Sequence, residues 1–196
     1  MPKKTYMVEK VLTPVGVASF PNIDKPDTRW DADGAYSADV VVGPGEETAL
    51  QAKLGALAEE FRKEQEIGSG VEVHIPIKPE TDRDKQPTGN VLIKTKLKAF
   101  VGGYDGSEKV SQRPKVVDGQ TNPIHPVPAV GGGSKMRVAC DAIARYVQGK
   151  IYVTLNIRAV QIVELVLKGS GDPSEYGMEE LEGAYVAETS SDDLDF

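Results

Sequence analysis

Cysteine is almost absent from the chain: Cys140 is the only one in 196 residues, so no intrachain disulfide can form and a zinc site built from several cysteines is excluded. Histidine is nearly as scarce, and neither His74 nor His125 has a partner at metal-ligand spacing, so both are expected to be structural or solvated. Long apolar runs are missing as well. No stretch approaches the roughly 20 residues that cross a bilayer, and the opening MPKKTYMVEK lacks the apolar core of a signal peptide. A soluble protein in a reducing, cytoplasmic setting is expected, with no membrane partner. The last 25 residues hold no lysine or arginine at all, and that local absence organises the rest of the chain.

The net charge of -7 argues against a polyanionic partner if taken as an average. From Asp172 to Phe196, however, there are nine acids and no base. Setting those aside leaves 21 acids against 23 bases over residues 1–171, a net of +2. The chain is a near-neutral, slightly basic body with a tail of charge -9. The body's length and the chain's 39% hydrophobic content suit one core. Past about residue 172 too few apolar side chains remain to fold alone, so residues 172–196 are expected to be a disordered acidic tail.

Within the body, Thr5–Phe20 reads as a first strand bent at Pro14 and Gly16, Pro21–Gly34 as a polar loop, and Ala35–Val42 as a second strand. Between Gly43–Gly45 and Gly68–Gly70, Leu50, Leu54, Leu57 and Phe61 recur at a period near 3.6 and predict a helix, with Glu46 and Glu47 in its first turn where the dipole favours them. Val71–Ile77 predicts a short strand, Lys78–Gly89 a polar linker, and Asn90–Val101 the longest strand. A turn follows at Tyr104–Gly106, a strand at Arg113–Asp118, and a Pro- then Gly-rich loop at Thr121–Gly133. Lys135–Tyr146 and Lys150–Leu167, the latter broken near Ala159, close the body. Short strands with turn signals and one inserted helix predict a mainly β protein: an OB-fold-like five-stranded antiparallel barrel over residues 1–171.

No catalytic constellation is present. Gly131–Lys135 (GGGSK) has the composition of a phosphate loop but the wrong order: Ser134 precedes Lys135, and a Pro-rich loop rather than a strand leads in. Cys140 has no local histidine to activate it and reads as a small buried hydrophobe. No enzyme activity and no cofactor or metal are expected.

What stands out is strand parity. Side chains alternate faces along a strand, so Lys94, Lys96, Lys98 and Phe100 share one face while Ile93, Leu97, Ala99 and Val101 share the other. Lys150, Tyr152, Thr154, Asn156 and Arg158 likewise oppose Ile151, Val153, Leu155 and Ile157. A weaker set, Lys135, Arg137 and Arg145 with Asp141, opposes Met136, Val138, Cys140, Ala142 and Ala144. Lysines on an outer strand face commonly just blunt an edge. Three such strands with interleaved aromatics fit a single-stranded nucleic-acid groove, where cations follow phosphates and rings stack on bases. Tyr104 and Arg113 join the candidate contacts. So do Arg29 and Trp30, although Trp30 reads equally as an anchor folded back on the core.

By coil scaling, a 25-residue tail spans roughly 25 to 30 Å, enough to reach the binding face of a domain whose radius of gyration is about 16 Å. It therefore competes with a polyanion for the basic face. Its end, Asp192, Asp193, Leu194, Asp195 and Phe196, has the form of a docking peptide, with rings for a pocket and acids for a basic rim.

The tail DDLDF and, more loosely, the strands GGGSKMRV and GKIYVTLNIRAVQIVEL resemble those of the replication single-stranded-DNA-binding proteins of tailed bacteriophages. The resemblance implies sequence-independent binding and protection of single-stranded DNA in the host cytoplasm. It also implies recruitment of a polymerase, helicase or recombination protein through the tail, with a homodimer left open. Only Phe196 and its acidic neighbours carry over residue by residue. The rival is a β-rich protein-interaction or virion accessory domain that binds no nucleic acid.

Overall fold

The computed structural model describes residues 5–102 and 108–169. Two strands, β1 (Tyr6–Leu12) and β2 (Gly16–Asp27), stand where one bent strand was expected. Pro14 supplies no N–H to a ladder. Gly16 is required by close approach, since a Cβ there would lie 2.4 Å from the Val41 carbonyl oxygen. Strand β2 continues through residues expected to be loop, with register shifts after Ser19 and Asn22 that hide its alternation. Next comes β3 (Ala35–Val42), as predicted, and α1 (Thr48–Glu64), which buries Leu50, Leu54, Leu57, Ala58 and Phe61 against β1 and the two closing strands. The glutamates precede the helix instead of filling its first turn. Glu47 is the N-cap residue, and Glu46 turns back to accept the Gly43 N–H at 2.8 Å.

Within the predicted Val71–Ile77 strand, β4 covers Val73–His74 and the next strand starts at Ile77. The expected polar linker is instead a hairpin of β5 (Ile77–Thr81) and β6 (Pro87–Ile93). The supposed longest strand is broken into β6, β7 (Lys96–Lys98) and β8 (Phe100–Val101). At the first break the Lys94 N–H donates to the Pro76 carbonyl, and Thr95 turns inward, its hydroxyl donating to the Ala38 carbonyl at 2.8 Å. After β9 (Val110–Ser111) and β10 (Lys115–Val117), which is shorter than the predicted Arg113–Asp118, come β11 (Lys135–Val147) and β12 (Lys150–Glu164). The Gly-rich segment leads into β11 and not into a helix. Ser134 is buried, and its hydroxyl donates to the Gly131 carbonyl at 3.0 Å and the Val166 carbonyl at 3.1 Å.

Pairing closes a ring. Strand β2 pairs with β3, β3 with β7, β7 with β12, β12 with β11, and β11 with β2, so five strands form a barrel, parallel only at β7–β12. This is the OB-like barrel the sequence predicts. Strands β1 and β2 share one edge of β11, while β4 and β10 lie along β12. The break expected near Ala159 is a bulge: Ala139 pairs with Ala159 but Cys140 with Ile157, leaving Arg158 as the extra residue. Burial therefore changes parity along β12, from odd positions through Ile157 to Val160 and Ile162 beyond the bulge. No helix among the described residues is long and apolar enough to cross a membrane.

Cys140 lies buried on the core side of β11, where desolvation, helped by neighbouring Asp141, pushes its thiol from 9.0 up to about 12. A pKa raised on folding means the folded state holds the proton. The associated stability is complete below pH 9 and is lost as pH rises toward 12. The native thiol should not react with a disulfide reagent at pH 8 until denaturant is added, and the urea midpoint should fall above pH 9. Rapid labelling of the native protein would contradict this packing.

Candidate nucleic-acid interface

On an OB barrel, the face of the second and third strands together with the loops after strands one and four is the usual oligonucleotide surface. Here the second and third barrel strands are β3 and β7, the first of those loops is Thr28–Gly34, and the other is the Gln148–Gly149 turn between β11 and β12. Along β3, Tyr36, Ala38 and Val40 enter the core while Ala35, Ser37 and Asp39 face outward. Pairing sets Lys98 opposite Ala35 and Lys96 opposite Ser37, and on the other side Asn156 of β12 opposite Lys96. A groove of about 750 Å³ runs over these residues.

Six of the predicted contacts line that groove: Trp30, Lys94, Lys96, Lys98, Phe100 and Arg145. The lysine parity survives the strand break. Lys94, Lys96, Lys98 and Phe100 are outward, and Ile93, Leu97 and Ala99 are buried. Val101, expected on the core face, is exposed because β8 leaves the barrel to pair only with β9. Trp30 is 91% exposed, so it is not an anchor folded back on the core. Neither Lys94 nor Lys96 is in an ion pair among the described residues, which leaves both cations available to a phosphate.

Register carries the surface further. His74 of β4 pairs with Tyr152 of β12, Tyr152 with Arg145 of β11, and Arg145 with Tyr6 of β1, so four side chains cross four strands in one row. The His74 and Tyr152 rings stack with centroids 4.8 Å apart and planes 12° apart, and the Arg145 guanidinium lies 5.8 Å from the Tyr6 ring centroid. Lys150 joins the row's end. Its ammonium is 2.7 Å from Glu72, whose other oxygen is 3.1 Å from His74 Nε2. Lys150, then His74, hold the Glu72 carboxyl below its usual range, and Glu72 in turn raises the Lys150 ammonium. Tyr6 and His74 were missed by the parity argument, which assigns faces within a strand but not which strand lies alongside.

Most of the other predicted cations are held by acceptors of their own. Arg29 is bound to Asp27, its Nη2 2.7 Å from Oδ2, and holds that carboxyl at about 2; Asp27 lines the groove and Arg29 does not. Arg113 is exposed next to Gln112, a groove residue. Three more lie at or beyond the β11–β12 bulge. There Lys135 pairs with Glu164 at 2.8 Å, the Arg137 Nε donates to Gln161 at 2.6 Å, and the bulged Arg158 is bound to the buried Asp141. None of these three lines the groove. Tyr104 and the tail residues Asp192, Asp193, Leu194, Asp195 and Phe196 lie outside the described residues.

No protein-family model matches the chain. The single-stranded DNA-binding protein of Enterobacteria phage T3 is 25% identical over 178 residues, covering 83% of this chain and 75% of that protein. Among solved structures, gp2.5, a single-stranded DNA binding protein encoded by bacteriophage T7, superposes with a TM-score of 0.66 at 22% identity, over 92% of this chain and 100% of that one. The single-stranded DNA-binding protein of bacteriophage Enc34 in complex with ssDNA gives a TM-score of 0.57 at 15% identity, over 82% of this chain and 89% of that one. These likenesses bear out the resemblance to phage single-stranded-DNA-binding proteins, and the two structures share this fold. The relatives are named for binding and not for a reaction, in keeping with the expectation that the protein is no enzyme.

Proposed function

We propose that the chain binds single-stranded DNA without requiring a particular sequence, and that it does so in phage DNA replication and recombination in the host cytoplasm. The observation that carries this is the groove on β3 and β7. Lys94, Lys96 and Lys98 form a cationic line flanked by Trp30 and Phe100, the arrangement that a flexible polyanion with open base faces requires. The names of the T3, T7 and Enc34 relatives support the same ligand. The base faces of a duplex are buried in its stack, so stacking on Trp30 and Phe100 favours the single strand. A gel shift with matched single-stranded and duplex DNA tests this. A shift with neither would favour the rival protein-interaction or virion accessory role.

The same proposal divides the chain into an OB-fold binding domain, residues 1–171, and an acidic docking tail, residues 172–196, that recruits a polymerase, helicase or recombination protein. A tail of charge -9 beside a body of +2 competes with DNA for the groove. Truncation after Gly171 should raise affinity for single-stranded DNA at low salt, and the gain should shrink in high salt as screening removes the competition. Unchanged affinity at low salt would rule out autoinhibition. Sedimentation of the full chain and the truncated chain decides whether the tail also supports a homodimer.

A further inference from the structure

Three groove residues have the wrong sign for a polyanion site: Asp27, which Arg29 neutralises, Asp31 in the loop after β2, and Asp39 on the barrel face itself. Asp39 projects outward from β3 into the groove. Because β3 keeps one register along β6 and β7 (Val40 opposite Ile93, Ser37 opposite Lys96), Asp39 stands at the level of Lys94. It makes no ion pair with that lysine. Its Oδ1 instead accepts the Thr95 N–H at 2.9 Å, the backbone donor freed where the strand breaks. Oδ2 has no hydrogen-bond partner among the described residues and is open to the groove. Burial pushes the carboxyl up, against the pull of the Thr95 N–H and of Lys94 and Lys78, so this acceptor is poorly hydrated and gains from a donor brought by a ligand.

A phosphate beside Asp39 would be repelled, so the DNA backbone must keep to the lysine side and present bases to this carboxylate. A carboxylate only accepts hydrogen bonds. The exocyclic amino groups of cytosine, adenine and guanine donate to it, as cytosine N4 donates to Asp or Glu in base readout. Thymine and uracil offer a single ring N–H flanked by two carbonyl oxygens, which the carboxylate repels. We propose that Asp39 biases the groove toward amino-bearing bases and against thymine at one nucleotide position. The bias lies on top of sequence-independent binding and rests on the groove being the single-stranded DNA site.

Oligo-dC and oligo-dU test this on the wild-type protein, because they carry bases of equal ring size and differ at the exocyclic group that Asp39 would read. Oligo-dC should bind about fivefold tighter, the lower end of the range for one base-edge contact. Asp39→Asn keeps an oxygen for the Thr95 N–H and adds an amide donor that serves the uracil carbonyl. It should bring the dC to dU affinity ratio to about 1, mainly by strengthening dU. Equal wild-type affinities, or a ratio left unchanged while both ligands bind the variant more tightly, would overturn the inference and leave Asp39 as a general charge effect. If the variant does not fold, the wild-type comparison still decides. Failure of the wild type to bind either oligonucleotide would instead sink the proposed function.

Discussion

Replacing Lys94, Lys96 and Lys98 together with alanine is expected to weaken single-stranded DNA binding about 100-fold at low salt, taking roughly 1 kcal/mol for each lost contact to phosphate. All three side chains are exposed, so unfolding midpoints should stay within the ordinary surface range of about 0.5 kcal/mol. Salt dependence is the sharper readout. Each phosphate neutralised on a single strand contributes roughly 0.7 to the slope of log affinity against log salt, so losing three should flatten it by about 2. The loss should be similar for every base composition. Normal binding by this variant would move the site off β7. A Lys135, Arg137 and Arg158 triple variant serves as the control, since those cations are bound to Glu164, Gln161 and Asp141 and none lines the groove, and it should bind much as the wild type does.

Removing both groove-edge rings, Trp30→Ala with Phe100→Ala, should cost still more, by a different mechanism. Stacking a base on an aromatic ring contributes roughly 1 to 3 kcal/mol, so two rings at the middle of that range correspond to about a 1000-fold loss. Trp30 is 91% exposed, and its removal leaves no cavity. The salt slope should hardly change, because no cation is lost. Measured by anisotropy of a labelled oligonucleotide, a lower affinity with an intact slope identifies stacking, whereas a lower affinity with a flattened slope identifies phosphate contacts. A double variant that binds as the wild type does would show that the rings lie off the strand's path.

How much of this was legible in the sequence depends on whether local pattern decides the feature. Strand β3 and the buried stripe of α1 follow from periodicity and match residue for residue. The lysine face was legible even though its strand is broken. The break at Lys94–Thr95 adds no residue to the register with β3, so alternation continues across it. The hairpin of β5 and β6 was not legible. Carrying Pro79, Pro87 and a charged turn, it pairs beyond β3 with few side chains to bury, so it lacks the apolar alternation that marks a strand. Parity likewise grouped Arg158 with Tyr152, but the bulge at Arg158 turns the ribbon and sends that side chain to Asp141. The row of Tyr6, Arg145, Tyr152 and His74 depends on register between strands far apart in sequence, which no local pattern encodes. Asp39 escaped notice for a related reason: a lone acid in an alternating strand looks like solvated surface until the groove is drawn around it.

Trp30 is the chain's one tryptophan and lines the groove, so its fluorescence reports directly on ligand entry. Titrating the full chain with a short single-stranded oligonucleotide of mixed sequence, beside its duplex at equal concentration, tests the central claim. Saturable quenching by the single strand, weakened by added salt, with little response to the duplex, is the result predicted. No quenching by the single strand, or equal quenching by both, would contradict it.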